Sequence, residues 1–421
     1  MNLSERDKQH IWHPFTQHQL APNNIPIVRG RGAILFDEHG KEYIDAVSSW
    51  WTNIFGHANP EIADAIKKQV DILEHVIFAG FTHQPAIELA ENLLSILPKN
   101  QAKIFFSDNG STSVEVAIKM TMQFWYNQNK HKKTFIAFKN AYHGDTFGAM
   151  SVGARGVFNS AFEPFALDVA FVDVPTNENF EKVIADFKQI IQTKDVAGFI
   201  FEPLLLGSGG MLLYDSKHLN SLIEIAKSEQ IICIADEVLT GFGRTGKIFA
   251  TDYLHHKPDI FCLSKGITGG FLPLGITTCT QTIFDAFLSE DKLKTFFHGH
   301  SYTANPLACA AANASFKLLI SSQEKIQELV DWQQEFYLHL QKNKKIENVR
   351  QLGTIVAFDV KTDKTSSYFN SIRDFLYDNF IQRGVILRPL GNTVYVMPPY
   401  IISKEELQQI YVVIDEMLDL L

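Results

Sequence analysis

The chain has 421 residues, 46% of them hydrophobic and 20% charged, which is enough apolar side chain for a large core over more than one domain and unlike a disordered segment. Its formal net charge of -9 is spread along the chain with no basic stripe, which argues against a nucleic-acid partner. No run approaches the roughly 18 apolar residues of a membrane span, "MNLSERDKQHIWHPF" lacks the apolar core of a signal peptide, and Cys233, Cys262, Cys279 and Cys309 show no CxxC spacing. The expectation is a cytoplasmic protein with no membrane contact and buried thiols in a reducing compartment.

Residues 1–60 are rich in turns, and "RGRGAILFDEHGKEYID" reads as a hairpin around Glu38, His39 and Gly40. Short β-branched and aromatic runs follow at 103–107, 133–138, 170–174, 196–203, 231–237, 259–265 and 274–280, most of them apolar on both alternating faces as doubly covered strands are. Helical patterns from Ser111 and from Ser216 lie between them. This alternation predicts an α/β fold with an open, mostly parallel central sheet flanked by helices. A long helix from about Asn305, an amphipathic stretch over 322–342, a mixed section and a final helix near 403–420 complete the chain. The expected division is a large domain at 61–314 and a smaller α+β domain formed by both termini, 1–60 and 315–421.

Ligands of open parallel sheets sit at the carboxyl ends of the strands, so residues ending the apolar runs are the candidates. Asp236 ends "IICIAD"; it either caps the turn that follows or pairs with a cation, for instance a protonated pyridine nitrogen. Glu237 faces the other way along the strand and reads as structural. Lys265 ends "FCLSK" and meets Gly266, Gly269 and Gly270. It is a turn lysine, a phosphate-binding lysine or an amine that forms a Schiff base. In the last case the glycines let the backbone pass close to a flat ligand.

"FSDNGSTS" places a glycine turn before a helix expected to begin near Ser111 or Thr112, where Gly110 and Ser111 either receive a phosphate or belong to an ordinary N-cap. No GxxxxGK[ST] occurs, which disfavours a nucleotide hydrolase. Tyr142, in "AYHGDTFGAM", either stacks on a ligand or packs in a loop, and His143 and Asp145 orient neighbours or each other. His298 and His300 lack the acidic partners of a metal pair, so no metal is expected. Ser301 is a further phosphate donor candidate. Arg388 precedes Pro389 and either caps a strand or clamps a carboxylate. Trp50 and Trp51 are adjacent and need not share a face, leaving one for the core and one for the wall of an apolar pocket.

"IADEVLTGFGRTG" followed by "LSKGITGGFLPLG" resembles the class III aminotransferases, fold type I enzymes that use pyridoxal 5'-phosphate, and the match runs from Trp12 to the C-terminus. Within that family "HIWHPFTQ", "SSWW", "SDNGS", "KNAYHGDTFGAMSVG", "FFHGHSYTANPLACAAANAS" and "VYVMPPY" are similar to the branch that moves an amino group from S-adenosylmethionine to 7-keto-8-aminopelargonate in biotin synthesis. The resemblance implies that Lys265 holds the cofactor and shuttles a proton, Asp236 pairs with its pyridine nitrogen, Gly110 and Ser111 take its phosphate, and Tyr142 covers its ring. It further implies a homodimer with sites at the subunit interface, where Gly299, His300 and Ser301 reach the neighbouring subunit's phosphate or substrate. Arg388 would bind the keto acid's carboxylate and Trp50 wall its chain. Two positions depart from the family pattern: "GHS" stands at 299–301 where "GPT" is frequent, and Phe15 stands where a donor-contacting tyrosine is frequent. Lysine is therefore the alternative donor. Another ω-aminotransferase, or a non-catalytic α/β binding module, are the remaining alternatives.

Overall fold

A computed structural model describes residues 2–156, 158–362 and 370–421. The seven apolar runs become seven strands: β1 (Gln101–Ser107), β2 (Thr134–Phe138), β3 (Val169–Val172), β4 (Val196–Phe201), β5 (Ile232–Asp236), β6 (Ile260–Leu263) and β7 (Gly275–Thr280). They form one sheet in the order β1-β7-β6-β5-β4-β2-β3. Strand β7 runs antiparallel to both neighbours, β6 and β1, and the other pairs are parallel. Six carboxyl ends therefore open on the same edge, which is the one constraint that collects distant residues into a site.

The doubly apolar pattern has a direct cause, because each face of the sheet carries its own core. Phe135 and Ala137 of β2 and Ile200 of β4 join one buried cluster with Val114, Ile118 and Trp125 of helix α1 (Gly110–Asn127). Ile136 and Phe138, with Phe199 and Phe201, join the other. All four cysteines are buried free thiols, and burial pushes Cys279 up to about 11 and Cys309 up to about 12.

Four of the strand-like runs end earlier than the periodicity predicts, and two of these carry Asp236 and precede Lys265. Strand β5 stops at Asp236, and β6 stops at Leu263, so Lys265 does not end a strand. It opens a short 3-10 turn in the left-handed region, at φ 47°. The fold itself requires two of the glycines after it. Gly269 and Gly270 have φ of 61° and 83°, and a Cβ on either would lie 2.6 Å from Ile62 or 2.7 Å from Asn53.

The expected hairpin is present as strands Ile34–Asp37 and Glu42–Asp45, with Ile27–Arg31 paired antiparallel to the first. Val385–Ile386 pairs in parallel with Glu42–Asp45, in the register Ile386 to Asp45. The two ends of the chain thus share a sheet, and Trp50 and Arg388 both emerge from its last residues. A separate antiparallel sheet combines Ile346–Leu352, Ile355–Val360 and Thr393–Val396. Helix α2 (Pro306–Ser321) packs on helices Pro60–Val70 and Gln84–Ile96, and helices Gln323–Leu340 and Lys404–Asp419 follow.

The start of β7 is pressed against the turn that begins α1. A Cβ at Gly275 would lie 2.2 Å from the carbonyl oxygen of Asn109 and 2.5 Å from Ser107 Oγ. Gly275→Ala is expected to displace that turn at a cost of about 1–3 kcal/mol, read as a lower midpoint in thermal unfolding.

Candidate active site

Asp236 is buried at the end of β5 and its carboxylate is already partly engaged. Its Oδ1 accepts from the amide of Val238 at 3.0 Å, and its Oδ2 lies 2.7 Å from His143 Nδ1. His143 is itself buried, and its Nε2 has no partner among the described residues. Asp236 thus caps its own turn and also holds an imidazole, leaving its remaining acceptor capacity for a ligand.

Lys265 stands one strand over. Asp236 is level with Cys262 in the β5–β6 register, so the lysine turn starts beside the carboxylate. Its Nζ lies 4.3 Å from the centre of the Trp51 ring, and no hydrogen bond to a described residue holds it. Burial pushes the amine down to about 8; the nearby Arg244 adds to the shift, and Asp236 and Glu202 oppose it. An amine so shifted is still mostly protonated at pH 7, but roughly a tenth of it is neutral, against well under a thousandth for an ordinary lysine, and the neutral form is the nucleophile.

The phosphate-sized position is better defined than expected. Helix α1 begins at Gly110, one residue earlier than its pattern suggests, because Asn109 forms the capping box with Thr112: Thr112 N donates to Asn109 Oδ1 at 2.9 Å and Asn109 N to Thr112 Oγ1 at 3.1 Å. Gly110 and Ser111 are therefore the first two helical residues, whose amides have no intrahelical acceptor. A Cβ at Gly110 would fall 2.7 Å from Val238, so only glycine lets this helix end approach the Asp236 turn. Ser111 Oγ accepts from Thr146 N at 3.0 Å and shares a hydrogen bond with Thr146 Oγ1 at 2.8 Å, which ties the 141–146 loop to the same place.

That loop carries Tyr142, whose amide donates to Glu202 Oε1 at 3.0 Å and whose hydroxyl donates to Asp145 Oδ2 at 3.0 Å. Burial, and then Asp145, raise its phenol. Glu202, one residue past β4, also accepts from Gly207 N at 3.0 Å, and burial pushes it up to about 7. Glu237 turns away and accepts from Thr240, Ala250 and Thr251, as a structural carboxylate does.

Phe15, Trp50 and Arg388 meet at the mouth. The Phe15 and Trp50 rings are 5.6 Å apart, Phe158 lies 6.3 Å from Phe15, and the Arg388 guanidinium sits 4.5 Å from the centre of the Trp50 ring. Among the described residues no carboxylate pairs with Arg388. Trp50 is 40% exposed and Trp51 only 5%, so the adjacent tryptophans do part company. Gly299, His300 and Ser301 are elsewhere: their loop is tied by Thr303, with His300 N donating to Thr303 Oγ1 at 3.1 Å. No hydrogen bond, ion pair or ring contact joins them to Asp236, Lys265, Gly110 or Ser111 among the described residues.

Sequence reasoning passed over four groups. Glu202 follows a buried strand at the same edge as Asp236, so the strand-end argument that selects Asp236 would have selected it too. The partner of His143 is visible only in space. Arg244, buried to 1% exposure, donates to the carbonyls of Pro398 at 3.0 Å and Trp51 at 3.4 Å. Phe158 adds a third ring to the mouth.

These residues fit a phosphorylated pyridine aldehyde: an open helix N-terminus for the phosphate, a buried carboxylate with spare capacity for the ring nitrogen, and an unpartnered, desolvated amine for the aldehyde. Comparison with known proteins agrees. The chain belongs to the class III aminotransferases, whose family profile matches residues 16–418. Among its relatives, the adenosylmethionine-8-amino-7-oxononanoate aminotransferase of Synechococcus elongatus is 46% identical over 97% of this chain and 98% of its own. The enzyme of that name from Helicobacter pylori is 37% identical over 99% and 98%. The crystal structure of the Methanocaldococcus jannaschii enzyme of that name superposes with a TM-score of 0.94 at 35% identity, covering 99% of this chain and 98% of that one. An amine transaminase from an uncultivated Pseudomonas species, described in its PLP-bound form, superposes at 0.89 with 27% identity over 97% and 98%.

The shifted amine is open to direct measurement. In protein stripped of cofactor, the rate at which Lys265 takes up pyridoxal phosphate should rise with pH and level off above about 8, rather than above the ordinary lysine value of 10.5. Asp236→Asn removes a charge that raises the amine's pKa, so its plateau should begin at lower pH.

Proposed function

We propose that this chain transfers an amino group from S-adenosylmethionine to 8-amino-7-oxononanoate (7-keto-8-aminopelargonate), the biotin-pathway reaction of its named relatives, with pyridoxal phosphate bound between Asp236, Lys265 and the Gly110–Ser111 turn. The observation that carries the reading is the mouth of the site, where the Arg388 guanidinium, with no carboxylate partner among the described residues, lies on the Trp50 ring at 4.5 Å. An apolar wall ending in a two-pronged cation suits a chain with a terminal carboxylate.

When bound, the cofactor supplies an aldehyde for amine exchange and an electron-poor ring. Lys265 would hold that aldehyde until the incoming amine replaces it and would carry a proton to and from the donor carbon, tasks that suit an amine shifted down by burial. Asp236 holds a proton on the ring nitrogen, and His143 fixes its orientation. Gly110 and Ser111 receive the phosphate through their amides. Tyr142 covers the ring and lines the substrate channel, and Asp145 at its hydroxyl offers an anionic point for the acceptor's ammonium.

Phe15, the residue that opens lysine as the alternative donor, is compatible with S-adenosylmethionine. With Trp50 and Phe158 it forms an aromatic group with faces but few acceptors. A sulfonium has no hydrogen to donate and is content with ring faces, whereas the second ammonium of a lysine donor requires acceptors. A homodimer follows from the loop that carries Gly299, His300 and Ser301. Phe297 is 67% exposed and Tyr302 66%, while His300 Nε2 is buried without a partner among the described residues, which suits a surface completed by a second copy. In that dimer these three residues reach the neighbouring site, His300 and Ser301 at its phosphate. Among the described residues no helix is long and apolar enough to cross a membrane, and we assign the enzyme to the cytoplasm.

One experiment separates the two halves of the reaction. S-adenosylmethionine added to the loaded protein should bleach the absorbance of the aldehyde form, lysine should leave it unchanged, and 8-amino-7-oxononanoate should restore it. Arg388→Ala should leave the first step nearly intact and raise the KM for the acceptor roughly thirtyfold, the loss of about 2 kcal/mol from one charge-assisted pair. Rapid bleaching by lysine with none by S-adenosylmethionine would overturn the donor. An unchanged acceptor KM would remove Arg388 from the site.

A further inference from the structure

The turn that separates the two tryptophans is strained, and one carboxylate holds it. Ser48, Ser49 and Trp51 all have positive φ, at 51°, 59° and 68°, although none is glycine. Trp50 between them sits at φ -121° and ψ 54°. Side chains disfavour such backbone, which persists only where its surroundings impose it. Asp45, with no solvent exposure, supplies the imposing contacts. Its Oδ1 accepts from Val47 N at 3.2 Å; its Oδ2 accepts from Ser49 N at 2.6 Å and Ser49 Oγ at 3.2 Å, and lies 2.9 Å from His57 Nε2.

Asp45 is also the residue where the two ends of the chain meet. It pairs in register with Ile386, and Ala46 N donates to Ile386 O at 3.2 Å, so Arg388 emerges two residues beyond that junction. The same residue thus governs where Trp50 turns outward and where the strand bearing Arg388 is fastened. Trp51 has a separate anchor, since its indole N–H donates to the Tyr395 hydroxyl at 3.0 Å. Trp50 makes no comparable hydrogen bond among the described residues, and depends on the turn.

We infer that Asp45 is a positioning residue for acceptor recognition: it fixes the Ser48–Trp51 turn so that Trp50 and Arg388 meet, and it touches neither substrate nor cofactor. This rests on the proposed reading of Trp50 and Arg388 as the acceptor's wall and clamp. Asp45→Asn preserves volume but places a donor among donors, which releases the turn.

The test uses the full-length loaded protein with two independent readouts. In Asp45→Asn the KM for 8-amino-7-oxononanoate should rise about tenfold while the donor half-reaction changes less than about twofold. In protein labelled with 5-fluorotryptophan, the fluorine resonance of Trp50, assigned by Trp50→Phe, should move in Asp45→Asn while that of buried Trp125 does not. Should Asp45→Asn fail to fold, His57→Gln removes one of the four contacts, and the Trp50 resonance and the acceptor KM should shift in the same sense by smaller amounts. An unmoved Trp50 resonance, or equal losses in both half-reactions, would overturn the inference. Wild-type protein run alongside keeps the two ideas apart: no turnover there contradicts the proposed reaction, and the fluorine signal still decides the role of Asp45.

Discussion

Burying an amine beside carboxylates is the constraint on which the site depends. Lys265 loses hydration in its pocket, and only Asp236, Glu202 and the face of Trp51 soften that cost. The balance leaves the amine neither a fixed ammonium nor an ordinary surface lysine. It also needs every wall of the pocket in place, because each is supplied by a different strand end. Parallel order delivers them: β5 brings Asp236, β4 leads to Glu202, β2 leads to Tyr142 and His143, and β1 leads to Gly110.

The second constraint is the joining of the chain's two ends. In the small sheet Glu42–Asp45 pairs with Val385–Ile386, and the residues following each strand face one another as Trp50 and Arg388, the proposed wall and clamp for the acceptor. On the proposed reading, chemistry and recognition come from separate sheets joined at the tryptophan turn, where Lys265 lies over the Trp51 ring and Arg388 over the Trp50 ring. Such a division lets the recognition end vary while the amine's surroundings stay constant.

Much of this was legible in the residues. The seven buried strands could be read because both faces are covered, so each run is apolar throughout, and Asp236 and Gly110 follow from where those runs stop. Lys265 was found by the same logic, although its own strand ends two residues earlier and the lysine occupies a left-handed turn. Two of the glycines after it, Gly269 and Gly270, are also required by their conformation and packing against Ile62 and Asn53. The His143–Asp236 pair and the Trp50–Arg388 contact span 93 and 338 residues. No local pattern encodes such distances, and the residues alone left Arg388 between a strand cap and a carboxylate clamp. The strain at Ser48 and Ser49 was invisible because serine carries no sign of the backbone it is forced to adopt.

The account turns on Lys265 being the residue that engages the cofactor's aldehyde. Borohydride reduction of the loaded protein, followed by peptide mass mapping, tests this most directly. The account predicts a phosphopyridoxyl group on Lys265 alone, and none there after Lys265→Ala. A reduced adduct on another lysine of the wild-type protein, or on none, would contradict it.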